Sequence, residues 1–195
     1  MYCLSTLSNT PIEDIAKAEP DCVKFLQLYV FKNRNITKRL VERAEKCGFK
    51  AIVLTVDLPV VGLRYSDIRN NLKLPSHLTV ANFDDPEIQK IINIDSADKS
   101  SDKNSVLHKI VNTCFDPSLT WEVVTWLKSI TKLPICVKGI LTVENALTAV
   151  QYGVDGIFVS NHGGRQLDGA PASVSAPVLN LNHEQQHYFE SNVSN

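Results

Sequence analysis

The stretch CGFKAIVLTVD, Cys47 to Asp57, aligns without gaps to YGVDGIFVSNH, Tyr152 to His162. Each copy reads as a glycine-ended helix, a short turn and a buried strand. Each strand ends in a hydroxyl residue, Thr55 or Ser160, and two positions later comes a titratable one, Asp57 or His162. Any two βα units share such a pattern. The sharper reading is two equivalent units of a (β/α)8 barrel, in which polar residues at the C-terminal strand ends face one active site.

Four short apolar, β-branched runs lie along the chain: residues 23–30 (VKFLQLYV), 51–56 (AIVLTV), 134–137 (PICV) and 156–160 (GIFVS). Near-continuous hydrophobicity suits strands buried on both faces, as in a parallel sheet. Helical patterns separate them. Residues 35–47 place Ile36, Leu40, Val41 and Ala44 on one face, with Gly48 as C-terminal cap. Residues 118–131 carry Leu119, Val123, Trp126, Leu127 and Ile130. Residues 142–152 begin at Thr142, an N-cap residue, and stop before Gly153. Alternating strands and helices predict an α/β fold built from βαβ units with right-handed crossovers. Residues 75–117 hold few periodic apolar positions and the polar run DSADKSSDKNS, and read as a loop excursion over the site or a solvated insert. Residues 177–195 show no strand pattern or amphipathic helix and read as a disordered tail.

The chain has 195 residues, 44% of them hydrophobic and 21% charged, with a net charge of −1. This composition is that of a soluble globular domain. It offers no basic footprint for nucleic acid and no charge for a membrane surface. No apolar run approaches the roughly 20 residues needed to span a bilayer, and the first residues lack the pattern of a signal peptide. Five scattered cysteines without a CxxC pair imply reduced thiols in an intracellular protein, with no metal site.

VSNHGGRQLDG, Val159 to Gly169, puts a histidine and an arginine beside two glycines at a strand end. Arginine grips a carboxylate through two hydrogen bonds. Histidine is the natural general base near neutral pH. Together they suit removal of a proton or hydride from a carbon next to a carboxylate; the plain alternative is a hydrogen-bonded loop with a solvated arginine. Asp57 can orient a histidine and stabilise its imidazolium, or cap the next turn. Arg64 offers a second anion clamp. Tyr29 brings a phenol and Lys138 a cation to further strand ends.

SNHGGRQLDG resembles the signature of the FMN-dependent 2-hydroxy-acid dehydrogenase/oxidase family. FLQLYVFKNRNITKRLVERAEKCGFKAIVLTVDLPVVGLR, DIRNNLKLP and LPICVKGILTVENALTAV resemble further segments of it, closest to the glycolate and long-chain hydroxy-acid oxidases. The likeness runs from Tyr2 to about Val174. It implies an (S)-2-hydroxy acid as substrate, FMN as cofactor, dioxygen as acceptor, and a 2-oxo acid and hydrogen peroxide as products. His162 would be the base and Asp57 its partner. Arg165 and Arg64 would bind the substrate carboxylate and Tyr29 its oxygen. Ser5, Gln27 and Thr55 would hydrogen-bond the flavin ring, and Lys138 would stabilise negative charge on it. Leu58 departs from the threonine usual in the family's TVDTP.

The family chain extends further on both sides. The likeness therefore predicts an incomplete TIM barrel over residues 1–176, from part of strand two to strand six. The flavin-phosphate loops of strands seven and eight lie outside it. An open half-barrel exposes strand edges and invites pairing into a homo-oligomer. The alternative reading is an inactive partial barrel. The family is often peroxisomal, but VSN at the C-terminus is no peroxisomal address, which leaves the cytosol. A remote rival is HEQQH, where His183 and His187 would bind zinc with Glu184 as base.

Overall fold

The computed structural model describes residues 1–62, 65–70, 74–75, 77–83, 86, 88–90 and 106–176. Five parallel strands form one sheet in sequential order, β1-β2-β3-β4-β5. They are β1 (Tyr2–Ser5), β2 (Lys24–Leu28), β3 (Ala51–Thr55), β4 (Ile135–Ile140) and β5 (Gly156–Val159). Helices α1 (Ile12–Ala18), α2 (Arg34–Lys46), α3 (Tyr65–Asn70), α4 (Val106–Cys114), α5 (Glu122–Ile130) and α6 (Val143–Gln151) lie between the strands. This is the α/β barrel order expected from the sequence, carried as an open segment of consecutive strands.

The repeat is built at its caps. After α2, Gly48 (φ +74°) lets its own N–H reach Glu45 O at 3.1 Å and the Phe49 N–H reach Ala44 O at 3.0 Å. After α6, Gly153 (φ +71°) does the same, with Gly153 N–H to Val150 O at 2.8 Å and Val154 N–H to Ala149 O at 3.1 Å. Both are Schellman closures, with the same pair of hydrogen bonds leading the chain toward its strand. Asn33 caps α2 through Asn35 N, and Thr142 caps α6 through Asn145 N.

The two faces of the sheet differ. Leu26, Leu28, Ile52, Leu54, Ile135, Val137 and Ile140 pack into the core with Leu40, Val41, Val124, Leu127, Ala146 and Ala149 of the helices. Strand neighbours on the opposite face, Phe25, Gln27, Cys136 and Lys138, are only half-buried, and Phe158 is exposed, while Ala51, Val53 and Thr55 of β3 are buried there as well. On β2 and β4 the period of two thus divides the more buried from the less buried side chains.

The stretch 75–117 contributes more to the core than its sparse apolar pattern suggests. Val80, Phe83, Ile88, Ile110 and Phe115 are buried, and α4 is helical. Buried Asn82 accepts from Ile12 N at 3.0 Å and donates to Thr6 O at 3.3 Å, tying this stretch to the start of α1. Phe31 and Phe115 form a bridge with rings 4.8 Å apart. A few large side chains at its described ends do this work, which no periodic count reveals. Buried Lys24 finds three acceptors, the carbonyls of Glu19, Pro20 and Cys22, at 2.6, 3.1 and 2.9 Å. The tail expected at 177–195, with HEQQH, lies outside the described residues, as does the polar run 95–105.

Candidate active site

Asp57 follows β3, Lys138 lies in β4 and His162 follows β5. Strand β4 separates the other two, so Asp57 and His162 meet only if the chain after β3 crosses over β4. It does so at Gly139, where φ is +111° and the β4–β5 register shifts. A Cβ placed there would stand 2.7 Å from Asp57 Cβ and 3.0 Å from Asp57 N. No side chain fits, so Gly139 is the space through which Asp57 arrives. The Val56 N–H donates to Lys138 O at 2.9 Å and fixes the crossing.

The Asp57 carboxylate is 5% exposed. Its Oδ2 accepts from His162 Nδ1 at 2.8 Å and from Lys138 Nζ at 3.0 Å. Its Oδ1 accepts from Gln166 Nε2 at 3.1 Å. A buried carboxylate needs this ammonium and these donors to remain charged. The carboxylate fixes the histidine proton: Nδ1 donates, so Nε2 carries the free lone pair of the neutral ring. Lys138 Nζ and Gln166 Nε2 also stand 3.4 and 3.3 Å from Nδ1. As donors they converge with Nδ1 on one carboxylate.

His162 sits at φ +60°, followed by Gly163 and Gly164 at +66° and +70°. This left-handed turn is closed by Asn161 Oδ1, which accepts from Gly164 N at 3.2 Å, and by Ser160 Oγ, which accepts from His162 N at 3.0 Å. A non-glycine residue in that region is uncommon and clusters at functional sites.

Ser5, Gln27 and Thr55 form a second row at the ends of β1, β2 and β3. Ser5 Oγ donates to Gln27 Oε1 at 3.4 Å, and Gln27 Nε2 donates to Thr55 Oγ1 at 2.9 Å. Thr55 pairs in register with Lys138, which joins the row to the carboxylate cluster. Tyr29 stacks on Phe115 at 4.7 Å. It lines a cavity of about 260 Å³ with Thr55, Leu58, Trp121 and Gly139. Asp57 and His162 are not among the residues lining that cavity, while Gly139, against which Asp57 packs, is. Arg165 is exposed and has no ion-pair partner among the described residues. Arg64 lies outside the described residues.

Reading the sequence assigned no role to Gly139 or Gln166. Both had a visible signal: Gly139 follows Lys138 directly, and Gln166 stands inside the SNHGGRQLDG signature. Among the described residues, no group of histidine, cysteine and carboxylate side chains could hold a metal, and no helix is long and apolar enough to cross a membrane.

The model of the FMN-dependent dehydrogenase family matches residues 1–180. The chain belongs to that family. It is 46% identical over 171 residues to 2-hydroxyacid oxidase 1 of Mus musculus, covering 88% of this chain and 45% of the mouse protein. It is 49% identical over 173 residues to glycolate oxidase 3 of Arabidopsis thaliana, covering 89% and 45%. Among solved structures it is similar to mandelate oxidase with (S)-4-hydroxymandelic acid, at a TM-score of 0.76 and 36% identity, covering 98% of this chain and 49% of that one. A mutant mandelate oxidase holding a C4a-OH-FMN adduct is similar at a TM-score of 0.73. The chain thus spans about half the length of the curated relatives it matches. Family membership makes the open sheet an incomplete TIM barrel and FMN the family's cofactor.

Proposed function

We propose that this chain forms one side of an FMN site and supplies the base for oxidation of an (S)-2-hydroxy acid to a 2-oxo acid. One observation carries the reading: a buried carboxylate, Asp57, holds His162 through Nδ1 at 2.8 Å and leaves Nε2 free. That is the arrangement of a neutral histidine ready to accept a proton.

The residues present fit the cofactor. A flat ring with a polar edge needs both donors and acceptors along one line. The hydroxyls of Ser5 and Thr55 and the amide of Gln27 supply them along three neighbouring strand ends, from exposed Ser5 to buried Thr55. Lys138 adds a cation beside Thr55. When bound, FMN supplies a two-electron acceptor.

In this reading Arg165 and Arg64 hold the substrate carboxylate in a fork of N–H donors. Tyr29 hydrogen-bonds the substrate oxygen. His162 Nε2 accepts the proton that the oxidation releases, and Asp57 stabilises the imidazolium so formed. Lys138 offsets negative charge at the sheet face, and its bond to Asp57 helps hold that carboxylate against His162. Dioxygen as final acceptor, giving hydrogen peroxide, belongs to the same proposal. So does a peroxisomal setting, which a rice relative 46% identical and named a peroxisomal (S)-2-hydroxy-acid oxidase supports.

The purified chain, mixed with FMN and freed of excess by gel filtration, tests this. Yellow protein bleached anaerobically by glycolate or a longer 2-hydroxy acid is expected. Colourless protein that cannot be reconstituted would establish the alternative, a folded partial barrel without activity.

A further inference from the structure

We infer that Gln166 is a positioning residue: its amide locks the plane of the Asp57 carboxylate and thereby fixes the proton and orientation of His162. Two of the three donors on Asp57, Lys138 Nζ and His162 Nδ1, reach the same oxygen, Oδ2. A carboxylate held through one oxygen still turns about its Cβ–Cγ bond, because that terminal torsion is soft. Gln166 Nε2 takes the other oxygen, Oδ1, at 3.1 Å and removes the freedom. The bond is also local to the histidine it serves. Gln166 lies four residues beyond His162, on the far side of the left-handed turn, and its Nε2 stands 3.3 Å from Nδ1. The donor therefore moves with the histidine loop while its acceptor belongs to β3's end, which pins one to the other.

The role rests on the proposed function, since it matters through the base. Its test does not require cofactor. Histidine in the 195-residue chain is labelled with 15N, the His162 ring signals are assigned with His162→Gln, and tautomer and Nδ1–H exchange are read by NMR. In the unsubstituted chain the Nδ1–H tautomer is expected. Gln166→Leu mixes the two tautomers and weakens the Nδ1–H signal through faster exchange with water. Gln166→Asn, too short to reach Oδ1, does the same. Wild-type tautomer and Nδ1–H exchange in Gln166→Leu and Gln166→Asn would overturn the inference and leave Gln166 a surface loop residue. A chain that binds no FMN overturns the proposed function and leaves this measurement readable.

Discussion

Asp57 and His162 occupy the same position in two copies of one βα unit, and their side chains meet at 2.8 Å across the intervening strand β4. A repeat that looks like a property of sequence is thus also a contact. The carboxylate copy holds the imidazole copy, and Lys138 from the strand between them binds the same oxygen at 3.0 Å.

Asp57→Asn keeps the shape of the pair and removes its charge. The amide can present N–H as well as C=O to Nδ1, so the tautomer with a free Nε2 is no longer enforced. Flavin reduction by a 2-hydroxy acid, followed by stopped-flow absorbance in FMN-loaded protein, is expected to slow by about 10²–10⁴-fold. A rate within a factor of two of wild type would remove Asp57 from the mechanism.

Gly139→Ala adds a methyl 2.7 Å from Asp57 Cβ at a backbone angle of φ +111°. The backbone strain alone costs about 1–3 kcal/mol. Relief of the clash moves Asp57 away from Lys138 and His162. Urea unfolding should show the destabilisation, and the His162 tautomer should become mixed. An alanine variant as stable as wild type would show that the crossing over β4 is looser than its geometry.

Lys24→Met leaves the carbonyls of Glu19, Pro20 and Cys22 without their shared donor beneath β2. Losing hydrogen bonds from a charged donor to these part-buried carbonyls costs about 1–3 kcal/mol in all, since water reaches some of them. The drop in unfolding midpoint should appear with the His162 tautomer unchanged, because Lys24 sits at the opposite end of its strand from the site.

The pairing of Glu13 and Arg43 predicts a pH dependence of stability. Arg43 donates to both Glu13 oxygens, at 2.7 and 2.8 Å, and this hydrogen-bonded guanidinium holds the Glu13 carboxyl below its ordinary value. A depressed carboxyl contributes stability that is complete above the unfolded value, about 4.3. It is lost as pH falls through the lower folded value. The pair is partly exposed, so the effect is small and shrinks in salt. The gap in urea midpoint between wild type and Glu13→Gln should be constant from about pH 7 to 5 and close below about pH 4. A gap unchanged in acid would mean that the pair does not depress Glu13.

Much of the frame was legible because local physics set it. Positions 36, 40, 41 and 44 follow the helical period and line the core side of α2. Strands β2 to β5 announced themselves as short β-branched runs. Helix α1 and strand β1 escaped that reading, being seven and four residues long, too short for a period to register. Strand β1 came only from the family likeness. The burial of Val80, Phe83, Ile110 and Phe115 escaped it too, because single large side chains docking from a distance leave no periodic trace.

The order of residues alone sets the βα unit, its glycine cap and a titratable residue two positions past the hydroxyl that closes each apolar run. Those follow from dihedral preference and hydrophobic period within a dozen residues. It also determined the family, through a signature that few other chemistries need. Which titratable groups share a proton is settled by packing between strands. Asp57, Lys138, His162 and Gln166 come from three strand ends, and their meeting depends on a gap the width of one missing methyl at Gly139. Such a gap is a relation between backbones 82 residues apart in the chain (139 − 57), and only the folded sheet brings them together.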